Sequence, residues 1–177
     1  MTSYDVGGEE ADALTGGRLS DVDGMIAILI DADACPVKEE AYKVARRYAV
    51  PVKVVSNSYI NVPREPLIER IVVDSGFDAA DDWIVEAADG SSIVVTTDIL
   101  LADRALKKGA VVIAPTGKTF DAASIGNAIA QRALMADLRA MGEVGGGPAP
   151  FSKGDRSRFL GALDEAVVRL RRQPRSA

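Results

Sequence analysis

Histidine is missing altogether from this 177-residue chain. Its absence removes imidazole acid–base chemistry, serine–histidine hydrolysis and histidine-ligated zinc. A single cysteine, Cys35, cannot form an internal disulfide, which fits a reducing compartment and a cytoplasmic location. Aromatic residues make up 5% of the chain, too few to build a platform for stacked bases. No apolar run approaches the roughly 18 residues of a membrane span, and no basic region precedes an apolar stretch at the N-terminus. Neither a membrane partner nor a secretory signal is expected.

What is present is an ordinary globular composition, 47% hydrophobic and 27% charged, of a size for one domain. A chain this long buries about 70% of its unfolded surface, so folding requires no metal or disulfide. The net charge of −5 is unevenly spread. Residues 1–24 carry six acids against Arg18 alone and read as a disordered arm. Residues 151–177 carry seven bases and three acids and read as a basic helix packing on the domain. An acidic protein is not a generic nucleic-acid binder, so any such activity has to be local.

Between these ends, over residues 25–150, apolar runs alternate with helical patterns. "MIAILI" and "PVKVVS" read as strands, as do "SSIVVTTD" and "AVVIAP". The segments from Val37, from Ala79 and from Ile99 read as helices, the last closed by Gly109. "REPLIERIVVD" reads ambiguously as a helix. A long helix is expected from Ala122 to Met141, then a "GGGP" break and a final helix from Lys153 to Arg172. The fold class that follows is α/β, a parallel sheet of about four to five strands with helices on both faces. Right-handed crossovers place every strand's carboxyl end on one edge, where open sheets of this kind bind ligands.

Acids gather at that edge. Asp31 and Asp33 follow the first strand, Asp98 follows the third, and Asp81 and Asp82 open the helix leading into it. Residues two apart in an extended chain share a face, with Cα atoms about 6–7 Å apart, so Asp31 and Asp33 could flank one point. Carboxylates held this closely repel unless a cation joins them. An all-oxygen set suits Mg²⁺ or Mn²⁺, which can assist phosphodiester hydrolysis without histidine. Each acid also has a simpler reading as a helix cap: Asp33, Asp81 and Asp98 all stand near helix starts. Capping leaves Asp31 unexplained, since it lies on the strand side of its junction.

The motifs "DADACP", "GFDAADDWIV", "TTDILLADRAL" and "GGGPAPFSKGDRSRF" together resemble the bacterial YaiI/YqxD family of uncharacterised proteins, over about Ala27 to Leu170. That family is grouped with the PIN-like nucleases. The resemblance implies a PIN-like parallel sheet with metal-binding acids at its carboxyl edge. By it Asp31, Asp81 and Asp98 would be the principal catalytic and metal-binding residues, with Asp33 and Asp82 beside them. The chain has no helical-arch insertion and no positively charged clamp of the flap-endonuclease kind. A metal-dependent nuclease acting on RNA rather than DNA is the function this implies.

Other features weigh less. "PTGKT" lacks the glycine a phosphate-binding loop requires at position 112, which is Val112, although Lys118 is a candidate phosphate contact. Asn57, after the second strand, is a candidate for orienting substrate. Cys35 reads as a buried structural thiol. Two other functions stay open. A strand ending in D-x-D also begins haloacid-dehalogenase phosphatases, though Cys35 stands where they carry Thr or Val. A non-catalytic nucleic-acid or protein-binding module would use the tail arginines, Arg156, Arg158, Arg169, Arg171 and Arg172.

Overall fold

The structure, a computed structural model, describes residues 25–142 and 150–173, apart from residues 34, 75 and 77. The acidic arm, and the expectation that it is disordered, lie outside the described residues. So does the "GGGP" break. Six strands are present: Ala27–Asp31 (β1), Val52–Ser56 (β2), Ile68–Val72 (β3), Ser92–Val95 (β4), Val111–Ile113 (β5) and Thr119–Phe120 (β6). They form one sheet in the order β3-β2-β1-β4-β5-β6, parallel except for β6 against β5. The helices are Lys38–Tyr48 (α1), Ala79–Ala87 (α2), Ile99–Lys107 (α3), Ala122–Ala140 (α4) and Lys153–Arg172 (α5). Among the described residues no helix is long and apolar enough to cross a membrane.

The α/β class and the two covered faces are as expected, but the sheet has six strands rather than four to five, and the edge strand β6 is antiparallel. The segment read as an ambiguous helix contains β3 instead. Ile68 to Val72 pair in parallel with β2 along its otherwise open edge, and that pairing overrides the helical spacing. β6, only two residues long, closes the opposite edge after a tight turn at Ala114–Lys118.

Alternation along the strands divides the core. Ile28 and Ile30 of β1, Val52 and Val54 of β2, and Ile93 and Val95 of β4 face α1 and α5. Leu29, Val55 and Val94 face α2, α3 and α4. The period of two then assigns Asp31 and Thr96 to the second face, with Leu29 and Val94. α5 closes the first face through Phe159, Leu163 and Val167, all fully buried. Its approach depends on Gly117, whose φ is +91°. A Cβ there would lie 2.6 Å from the backbone carbon of Arg158, so only glycine lets this turn lie against the helix.

The strand order locates the functional edge. From β1 the chain moves outward to β2 and β3, then returns through α2 to β4 on the other side of β1. Loops leaving β1 and β4 therefore diverge, opening a crevice at their carboxyl ends. Asp31 ends one of those strands and Asp98 lies just beyond the other.

Candidate active-site cleft

Asp31 is fixed by the register of the sheet. Ile30 pairs with Val95, so the next residues, Asp31 and Thr96, meet side by side. Thr96 Oγ1 accepts a hydrogen bond from the Asp98 amide at 3.0 Å and donates one to Asp31 Oδ2 at 2.8 Å. With its acceptor side taken by the amide, the hydroxyl proton is aimed at the carboxylate. Asp31 is only 7% exposed and Thr96 only 2%. A buried hydrogen bond to a charged group contributes about 1.5–3 kcal/mol, and this one also orients Asp31 toward the crevice.

Asp98 serves two purposes. It is the N-cap of α3, its Oδ1 accepting from the amides of Leu100 (2.9 Å) and Leu101 (3.2 Å). It also lines, with Asp31, Asp33, Asp81, Asp78 and Asn57, a cleft of about 600 Å³. Capping and site membership, posed above as alternatives, coexist in this residue. Asp33 makes no cap: α1 begins after Val37 without a side-chain bond, and Asp33 is exposed in the turn beyond β1. Asp81 stands in the first turn of α2, whose N-cap is Asp78, again without a side-chain bond. Two positions differ from the sequence-based expectation. Asp82 is absent from the cleft lining and pairs with Arg104 at 2.9 Å. Lys118 is absent from it too, lying in an adjoining groove described below.

Thr96, behind the cleft, and Asp78, Arg104 and Arg132 in its lining escaped the sequence reading. Thr96 is an ordinary strand-end threonine until the register is known. Asp78 lies in the quoted "GFDAADD" and was readable there as a further acid. Arg104 and Arg132, which bring positive charge to the cleft, come from helices and carry no local motif.

The acids act on one another. Burial pushes the Asp31 carboxyl up, and Asp33 and Asp98 add to this against the Thr96 hydrogen bond. Asp81 is pushed up to about 6, first by burial, then by Asp98, Asp31 and Asp78, with Arg104 opposing. Carboxylates from the β1, α2 and β4–α3 junctions therefore share one field. Among the described residues, however, no three acidic or sulfur ligands stand close enough to form a ready-made cage. The donor set is all oxygen, and Arg104 offsets its mutual repulsion only in part, which fits a hydrated ion. Mg²⁺ is commonly held through one or two carboxylates plus water and substrate phosphate.

Cys35 is buried, with its thiol pushed up by that burial, as suits a structural residue. Four of the tail arginines are engaged locally. Arg156 donates to the Pro36 carbonyl at 2.7 Å, Arg158 pairs with Asp155, Arg169 pairs with Glu165, and Arg171 lies over the Tyr48 ring.

Comparison with known proteins agrees with the motifs. No solved structure matches the chain. It is 71% identical to the UPF0178 protein of Sphingopyxis alaskensis over 146 residues, covering 82% of this chain and 95% of the relative. It is 57% identical to the UPF0178 protein of Rhodopseudomonas palustris strain BisB18, covering 85% and 97% respectively. A Brucella ovis UPF0178 protein is 58% identical over 83% of this chain and 92% of its own length. The model of the uncharacterised YaiI/YqxD family matches residues 29–169, and the chain belongs to that family.

Proposed function

We propose that the cleft hydrolyses phosphodiester bonds with Mg²⁺ or Mn²⁺, on RNA in preference to DNA. One observation carries this reading: Asp31, 7% exposed, is held at the strand switch among carboxylates from other segments. Maintaining that charge costs stability, and a cation removes the cost. Asp31, Asp81 and Asp98 are the proposed carboxylates around a hydrated ion, one or two binding it directly and the rest through water, with Asp33 and Asp78 adding negative charge at the rim. Such an ion, when bound, supplies Lewis acidity toward a phosphodiester. The rest belongs to the chain. Thr96 holds Asp31 in orientation, Arg104 and Arg132 attract the phosphate, and Asn57 offers an amide to the substrate. Asp82 steadies Arg104. Among the described residues no arch-like insertion is present to thread a flapped duplex, which favours a simple RNA strand.

Purified protein should cleave single-stranded RNA with Mn²⁺ or Mg²⁺ and stop when EDTA is added. Asp31→Asn should lower the rate about a hundredfold or more. Cleavage that survives this change would show that the chemistry lies elsewhere. Hydrolysis of a small phosphomonoester with trapping of phosphate on Asp31 would point to a phosphatase instead.

A further inference from the structure

A second concavity, of about 430 Å³, adjoins the acidic cleft. The two are continuous in sequence and in lining. Ile99 borders the groove and the preceding Asp98 borders the cleft, while Arg132 lines both. One side of the groove is a single stripe of α4. Ser124, Asn127, Gln131, Met135 and Arg139 recur at steps of three or four residues, the spacing of one helical face. From Ser124 to Arg139 the stripe runs about 22 Å at 1.5 Å per residue. Lys118, from the turn before β6, stands across it, 5.3 Å from the Phe120 ring.

Its chemistry is the reverse of the cleft's. No acid lines the groove, whereas Lys118, Arg132 and Arg139 do, and none of the three forms an ion pair among the described residues. In a chain of net charge −5, this is positive charge concentrated beside the candidate active site. Amides of Asn127 and Gln131 offer donors and acceptors, and Ile99 and Met135 give an apolar floor.

We infer that this groove holds the phosphate backbone of a single-stranded nucleic acid and leads the strand across Arg132 into the acidic cleft. A stripe of this length exceeds what a small phosphomonoester needs, and a volume of about 430 Å³ is too small to enclose a duplex. The amides and apolar floor suit unpaired bases better than a featureless polyanion. The inference deepens the phosphodiesterase reading and takes its direction of travel from it, but binding can be measured without catalysis.

The test uses the full-length Asp31→Asn protein in EDTA, with a short fluorescein-labelled oligouridine followed by fluorescence anisotropy over a range of salt. Replacing Lys118 and Arg139 together by Gln should weaken binding about tenfold and reduce the salt slope by roughly 1.4, about 0.7 per lost phosphate contact. Arg169→Gln, on α5, should leave binding unchanged. Unaltered affinity and slope in the double variant would overturn the inference, as would loss of binding in Arg169→Gln alone. Equally tight binding of a duplex would also overturn it. Wild-type protein that binds through the groove but cleaves nothing with Mn²⁺ would support the groove and sink the nuclease reading. Wild-type cleavage unaffected by the double variant would do the opposite.

Discussion

Thr96 shows how much a single hydroxyl can organise. It joins the Asp98 amide to the Asp31 carboxylate, so it positions both without touching substrate. Thr96→Val keeps the shape and removes the hydroxyl. Under the proposed mechanism it should lower the cleavage rate about 10–100-fold, the usual effect of losing an orienting partner. Since that bond pulls the Asp31 carboxyl down, its loss should also move the rise of the pH–rate profile to higher pH. A loss of rate with no such movement would leave Thr96 a merely structural residue. The carboxylates were legible in the sequence because acids placed where a buried strand ends are unusual. Thr96 was not, because its part depends on which strand lies beside β1. Helical phase separated Asp81 from Asp82: about 100° of rotation puts one in the cleft and the other against Arg104.

At the scale of elements, the parallel strands and their following helices could be read from β-branched runs alternating with helical spacing. β3 could not, because "LIERIV" places apolar residues three apart and strand pairing overrides that pattern. β6 is too short for any periodicity, and its turn drew attention only as an incomplete phosphate loop. The structure gives that turn a different importance, as the seat of α5. Gly117→Ala should destabilise the fold by at least about 1–3 kcal/mol, from the positive φ alone, with the close approach to Arg158 adding to it. Urea denaturation would register this as a lower midpoint. An unchanged midpoint would mean that the turn and α5 separate readily.

For the whole molecule, the acidic cleft sets a dependence on pH. Asp81 rises from 3.8 to about 6 on folding, so between those values the folded chain holds the additional proton. Its contribution to stability is complete below pH 3.8 and is lost as the pH rises through about 6. Asp31 is raised as well and acts in the same sense. Glu65, Asp121 and Asp155 are lowered by their partners and act oppositely, losing their contribution as the pH falls. Comparing wild type with Asp81→Asn isolates the first effect. The variant should gain in relative stability as pH rises through the window, by a few degrees in Tm at neutral pH. Mg²⁺ or Mn²⁺ should raise the wild-type Tm more at neutral pH than at pH 4, where protons already quiet the cleft. Scanning calorimetry would measure both, and a cation effect independent of pH would argue against binding at these carboxylates.

The pairing of Asp31 with Thr96 spans 65 residues of chain. Synthesis releases β1 well before β4, and domains assemble from what has emerged. A nascent chain exposing only its first strands thus carries Asp31 without Thr96, Asp81 or Asp98 beside it. The cleft is assembled only after β4 and the start of α3, past the middle of the chain, have left the ribosome. Under the proposed function, that order keeps the unfinished polypeptide harmless to the message and ribosome that are making it.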